Sequence, residues 1–207
     1  MSPENLREID KSWSEFQEKR PAWLKDKFGQ LSDRDIYRCI KEKIIKIEPC
    51  VDELAEIITN SNRVDLHLGN LITSFKTTRI TQVRFGEPIP KELQEDNHVR
   101  DNETFVLHPG HYVLAPTREK LTLPNFITGR MDGRSSGARI GLNVQQAAIF
   151  DAGWDGYPMM ELANNGNVAI VLQPGDKVCA FTFELLTTAA RNAHGGRYHN
   201  QTSPEIR

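Results

Sequence analysis

Residues 157–185 read YPMMELANNGNVAIVLQPGDKVCAFTFEL. Three apolar-rich runs of strand length, 157–162, 167–173 and 177–185, are cut apart by Asn165-Gly166 and Pro174-Gly175, both turn-forming pairs. The same punctuation continues upstream. Pro109-Gly110 separates candidate strands at 104–107 and 111–115, and further candidates lie at 71–76, 126–131 and 140–144. Val64, Leu66 and Leu68 alternate with Asp65 and His67, the pattern of a half-buried strand. Many short strands with Gly/Pro turns predict a mainly β domain, a sandwich, jelly roll or barrel. Segment 86–103 is polar and charged and is expected as a surface loop. Segment 187–207 has few apolar residues and is expected as a mobile tail.

Helices are confined to the first third. Ser2-Pro3 reads as a cap with proline at the first helical position, and Leu6, Ile9, Trp13 and Phe16 step by three and four. Pro21 breaks this run, and Trp23, Leu24 and Phe28 continue it on a second short piece. Another helix is predicted from Ser32, with Leu31 and Ile36 as a staple around the cap and Ile36, Cys39 and Ile40 as its buried face. Segment 51–62 reads as helix or loop.

The 207 residues suffice for one domain with its own core, and 38% apolar against 26% charged residues is an ordinary soluble composition rather than a disordered one. Lys and Arg number 26 against 28 Asp and Glu, a net charge of −2, so there is no global positive field and general nucleic-acid binding is not expected. No apolar run has the length of a membrane span, and the charged start carries no signal peptide. Cys39, Cys50 and Cys179 are odd in number and widely spaced, which predicts buried free thiols in a reducing, cytoplasmic setting.

Two clusters carry chemistry. In Asp132-Gly133-Arg134-Ser135-Ser136-Gly137-Ala138-Arg139, two arginines, two hydroxyls and two glycines lie between apolar strands. Arginine forks and hydroxyls match phosphate oxygens, and glycine lets backbone approach closely. The alternative is a polar hairpin loop with surface arginines. The second cluster, Phe150-Asp151-Ala152-Gly153-Trp154-Asp155-Gly156, leads into Tyr157 to Leu162. Asp151 and Asp155 are also simple turn formers. Glu161 interrupts an apolar strand, where desolvation suits a carboxylate to carry protons near neutral pH; the alternative is an edge-strand glutamate facing water. Trp154 fits either a ligand ring's stacking partner or a core plug. The six histidines form no HxxxH or HExxH pattern, and His108 and His111, which flank the Pro-Gly turn, read as surface residues. The zinc-deaminase signature is absent.

Several blocks in order now resemble one family. Pro109-Gly110, Leu114-Ala115, Thr117, Leu123-Pro124, Gly129, Asp132-Gly133-Arg134-Ser135-Ser136, Ala138-Arg139 and Gly141-Leu142 resemble the dCTP deaminase branch of the dUTPase superfamily. So do Asp151, Gly153-Trp154 and Gly156, Glu161 with Asn164, and Pro174-Gly175. Upstream, Leu31-Ser32-Asp33-Arg34-Asp35-Ile36 and Val64-Asp65-Leu66 with Leu68-Gly69 fit its N-terminal pattern, and Arg197-Tyr198 with Gln201 fits its tail. The resemblance spans about residues 31 to 202. It implies a dUTPase-like distorted β-barrel or jelly roll with N-terminal helices, divided into a helical extension at 1–30, a nucleotide-binding domain at 31–190 and a mobile tail at 191–207. It implies a homotrimer with sites between subunits, and a deoxynucleoside triphosphate bound with Mg2+ and no zinc. Glu161 would activate water for attack at cytosine C4, with Ser135 and Arg139 holding water and base. Arg134 and Ser136 would contact phosphates, Asp151 the 3′-hydroxyl, and Trp154 would lie near the sugar. Ala147 lies in the hairpin whose backbone reads the base, and Arg197, Tyr198 and Gln201 would close over the triphosphate.

Three departures bear on function. Gly137 stands where the family commonly has leucine. The stretch from Arg139 to Asp151 is one residue shorter than in the deaminases, and the seventeen steps from Arg134 to Asp151 look more like a dUTPase. Residues 1–30 have no counterpart in short members. Glu161 and Arg139 favour deamination, because dUTPases carry uncharged residues there. A dUTPase, a bifunctional enzyme forming dUMP, and a non-catalytic nucleotide sensor remain the alternatives.

Overall fold

Ser32 starts the first full helix as its sequence predicts. Its hydroxyl accepts from the Asp35 N–H at 3.4 Å, and Asp33 and Asp35 place negative charge in the first turn. The computed structural model describes residues 20–49, 58, 61–144 and 147–191. The expected helix over Leu6 to Phe16, most of segment 51–62, Cys50 and the tail beyond residue 191 lie outside them. In chain order the elements are β1 (Gly29–Gln30), α1 (Asp33–Lys41), β2 (Lys46–Glu48), β3 (Val64–His67), β4 (Leu71–Phe75) and β5 (Gln94–His98). There follow β6 (Phe105–Leu107), β7 (Tyr112–Pro116), β8 (Lys120–Thr122), β9 (Ile127–Gly133) and the single turn α2 (Ser135–Ala138). The last are β10 (Leu142–Asn143), β11 (Ile149–Phe150), β12 (Asp155–Gly156), β13 (Met159–Asn164), β14 (Ile170–Leu172) and β15 (Lys177–Leu185). Single 3-10 turns occupy Ala22–Leu24 and Lys91–Leu93.

The fold is mainly β. β15 is the spine of one five-stranded sheet: β9 runs antiparallel along one side, β3 and β1 share the other, and β11 pairs with β9. A second five-stranded sheet has the order β10-β13-β7-β4-β5, and smaller sheets join β12-β8-β2 and β14-β6. Among the described residues the strands thus form separate sheets rather than one closed barrel. Phe150, Trp154, Phe181 and Phe183 make the aromatic centre of the core, with ring centroids 4.9–5.2 Å apart. Gly129 is glycine because of it: a Cβ there would lie 2.2 Å from the Phe181 ring. No helix among the described residues is long and apolar enough to cross a membrane.

Three local expectations are corrected. Segment 86–103 is not all loop, since β5 pairs along β4 through five residues. Its side chains are polar because it is an edge strand whose pairing comes from backbone and from Asp96 and Asn97, which bond Thr73, Ser74 and the Ile72 carbonyl. The strand expected at 140–144 shrinks to β10, because α2 and the left-handed turn at Gly141 (φ +92°) use the preceding residues. Phe28 is 77% exposed rather than stacked behind Leu24, because the turn ends and Gly29 (φ +88°) redirects the chain into β1. Ile36, Cys39 and Ile40 are buried as expected.

Candidate active site

Glu161 sits on β13, an inner strand between β10 and β7, so it is not an edge glutamate. Met160, Leu162 and Asn164 point into the core, and Glu161 stands half-buried on the opposite face. Its Oε2 accepts the Ala147 N–H at 2.8 Å, and its own N–H donates to the Val144 carbonyl at 3.0 Å. One carboxylate oxygen is therefore held by the segment between β10 and β11. The sequence pattern had suggested fuller desolvation; alternation along β13 leaves this side half open within the single chain.

The loop with both arginines leads into β10, at the start of that segment. Ser135 and Ser136 open α2 and are exposed, and Arg139 is exposed just after it. From Arg139 the chain turns through Gly141 into β10, whose Leu142 pairs with Asn164 of β13. The turn is pinned by close backbone contact: the Asn165 N–H donates to the Gly141 carbonyl at 2.8 Å, and a Cβ on Gly141 would be 2.3 Å from the Gly166 nitrogen. Asn164 is fully buried. Its amide donates to the Leu107 and Val168 carbonyls, both at 2.8 Å, and accepts from the Gly166 N–H at 2.9 Å. The strand bearing Glu161 and the turn after Arg139 are thus locked together.

Arg134 is turned inward. Its guanidinium donates to the Lys177 carbonyl at 2.9 Å and lies 3.3 Å from Asp65 Oδ2. Asp65 is only 1% exposed, so β3 is not the half-solvated strand its alternation suggested; an arginine from the next strand but one in the sheet covers its polar position. Beside it, buried Glu119 accepts the backbone N–H of His67 at 3.0 Å and pairs with the His67 ring. The neighbouring Cys179 thiol is pushed well up by burial and then by the Glu119 and Asp65 carboxylates.

Asp151 is exposed at the end of β11, where its carbonyl accepts the Trp154 N–H at 3.0 Å. Asp155 instead ties β12 to its partner strand β8, accepting from Thr122 Oγ1 at 2.6 Å and pairing with Lys120 Nζ at 3.0 Å. Trp154 is enclosed in the core, its ring edge-on to Phe150, so of its two readings the core plug is the one realised. Arg197, Tyr198 and Gln201 lie outside the described residues. One neighbour escaped the sequence reading. Tyr112 on β7 shares Glu161's face, and its phenol is pushed up to about 12, by burial first and by Glu161's charge second. Only the pairing of β7 with β13 brings it there, and no motif announces it.

A family model described as dCTP deaminase-like matches residues 30–186. The chain belongs to the dCTP deaminase-like family. Among its relatives, the dCTP deaminase of Thermomicrobium roseum is 39% identical over 181 residues, covering 84% of this chain and 91% of that protein. A protein of Dictyoglomus thermophilum named dCTP deaminase, dUMP-forming, is 36% identical over 179 residues with the same coverage. In fold, the crystal structure of 2′-deoxycytidine 5′-triphosphate deaminase from Agrobacterium tumefaciens superposes with TM-score 0.57 at 19% identity. That match covers 76% of this chain and 48% of the other, so the chain spans about half of that protein's length. That match contains Arg134, Ser135, Ser136, Arg139, Ala147, Asp151, Trp154 and Glu161, and it ends before Arg197, Tyr198 and Gln201.

Proposed function

We propose that this chain deaminates dCTP to dUTP and ammonia. The observation that carries the proposal is Glu161 on an inner strand, facing away from the core, with one oxygen held by the Ala147 N–H. A carboxylate so fixed can take a proton from water while the water oxygen bonds to cytosine C4. The proton passes to the ring nitrogen N3, and the second water proton goes to the departing amine. The C4–N bond then breaks, and ammonia leaves with every atom accounted for. Arg139 and Ser135 hold water and base. The backbone around Ala147 reads the base edge, and Asp151 takes the 3′-hydroxyl. Arg134, engaged with Asp65 and the Lys177 carbonyl, fixes the loop that presents Ser135 and Ser136, and Ser136 turns to phosphate. Arg197, Tyr198 and Gln201 close over the triphosphate, which brings its Mg2+ as part of the substrate. Residues 31–190 form the nucleotide-binding unit, between a 1–30 extension and a 191–207 tail, and the active form is a homotrimer with sites between subunits.

A second reading adds hydrolysis of the product to dUMP and pyrophosphate. Three observations support it: Asp151 is exposed and would orient a water toward the α-phosphate, the length from Arg134 to Asp151 resembles that of dUTPases, and the relative from Dictyoglomus thermophilum bears the dUMP-forming name. Incubation with dCTP and with dUTP separately, with products resolved by chromatography, decides. Ammonia with dUTP is expected, ammonia with dUMP and pyrophosphate would establish the second reading, and pyrophosphate from dUTP without ammonia from dCTP would overturn both. Glu161→Gln should lower deamination about 10²- to 10⁴-fold, the usual range for loss of a general acid–base group, while triphosphate binding measured by calorimetry stays near normal.

A further inference from the structure

The turn packed against Gly141 contains the chain's one Asn-Gly pair, Asn165-Gly166. Asn165 is exposed, and the residue after it has no Cβ to shield its side chain. Such a pair is chemically labile. Once the Gly166 nitrogen sheds its proton, it can attack the Asn165 side-chain carbonyl and close a five-membered imide. The side chain's C–N bond breaks, and ammonia leaves with the shed proton. Water then opens the imide at either carbonyl, giving aspartate or isoaspartate, and the isoaspartate gains one carbon in the main chain. In the folded chain the first step is held back. The Gly166 N–H donates to Asn164 Oδ1 at 2.9 Å. Asn164 is itself fully buried, its amide held by the Leu107 and Val168 carbonyls. The Asn165 N–H is engaged too, by the Gly141 carbonyl at 2.8 Å. A hydrogen-bonded amide gives up its proton only when the bond opens, as in hydrogen exchange.

We propose that Asn165 is a self-modification site, that the Asn164 clasp on Gly166 sets its rate, and that isoaspartate there disables the enzyme. The damage follows from the packing. A Cβ on Gly141 would lie 2.3 Å from the Gly166 nitrogen and 2.5 Å from its Cα, and one on Gly166 would lie 2.5 Å from the Ile140 carbonyl oxygen. A main chain lengthened by one carbon at residue 165 finds no room between these contacts. Ile140 and Gly141 must then move, and Arg139 moves with them. β13 is drawn in as well, because it ends at Asn164, on the same strand as Glu161. The aspartate product keeps the backbone length and leaves the turn seated. The imide chemistry stands apart from the deaminase reading; the loss of turnover rests on that reading through Arg139 and Glu161.

The test incubates the full chain at mildly alkaline pH, folded and in denaturing urea, and follows the peptide bearing Asn165 by mass spectrometry, with isoaspartate resolved from aspartate by chromatography. Conversion should be slow in the folded protein and fast in urea. In folded Asn164→Ala it should run about 10-fold faster or more than in folded wild type, the factor that a lost hydrogen bond is worth. If that variant does not fold, wild type below its unfolding transition serves instead: conversion should rise with added urea in step with hydrogen exchange at the Gly166 amide. The dCTP turnover of wild type should fall with the isoaspartate fraction. Asn165→Gln, whose side chain would have to close a six-membered ring, should keep its initial rate through the same incubation. Equal conversion in folded and unfolded wild type would overturn the clasp, and no conversion in urea would overturn the site. Full turnover in protein carrying isoaspartate would overturn the damage. Wild type that never turns over dCTP would refute the deaminase reading alone, since the mass readings do not depend on it.

Discussion

Asp151 and Asp155 stand four residues apart in one glycine-rich turn, and folding gives them unlike surroundings. Asp155 binds Thr122 and Lys120 and ties β12 to β8, while Asp151 is exposed at the end of β11. Asp155→Ala should therefore lower unfolding stability by about 1–2 kcal/mol, the worth of a half-buried charge-assisted bond, and leave kcat unchanged. Asp151→Ala should do the reverse: an unaltered urea midpoint and impaired turnover. From sequence the pair was indistinguishable, because the Thr122 and Lys120 that separate them lie some thirty residues upstream. The thiols give a second prediction at this scale. Cys39 is pushed up to about 12 by burial first and then by the Asp35 and Glu42 carboxylates, and Cys179 moves the same way. The native state thus keeps a proton that the unfolded chain releases above the ordinary value of 9.0. Stability is full below that pH and falls as pH rises toward 12. Urea midpoints should decline across this window, and Cys39→Ala should flatten the decline.

At the scale of elements, local signals located strands wherever the strand carried its own apolar pattern. β15 spans the predicted 177–185, and β13, β7 and β9 fall within a few residues of their expected places. β1, β2, β5, β8, β11 and β12 were missed for a shared reason. Each is short or polar and exists because a partner strand supplies its hydrogen bonds, so tertiary pairing rather than propensity decides it. The site depends on the same kind of long-range contact. Arg139 and Glu161 were both legible as chemistry, but the lock between them, Gly141 against Gly166 with Asn164 beneath, appears only when β10 lies against β13. Gly141→Ala should test it. At φ +92°, with backbone 2.3 Å from the new Cβ, the substitution should cost about 1–3 kcal/mol and displace the Arg139 turn. Thermal unfolding would read the first effect. A fall in kcat/KM larger than the change in folded fraction would read the second.

The whole molecule presents a site that looks unfinished in one chain. Ser135, Ser136, Arg139, Ala147 and Asp151 are all exposed, and Glu161 is only half covered. Between them two large apolar side chains face outward, Ile140 at 49% and Ile149 at 71% exposure. Exposed isoleucines bracketing polar loops make sense if another surface covers them, since burying such groups is favourable. The covering surface expected here is a second copy, in the homotrimer proposed above. Light scattering should then give about three times the chain mass of 23.5 kDa. Replacing Ile149 by aspartate places a charge in the seam. The expected result is a shift toward lower mass together with a loss of dCTP turnover, while the far-ultraviolet circular dichroism of the β fold is retained. A monomer that turns over dCTP at the full rate would refute shared sites. It would also require that the single chain close its own site.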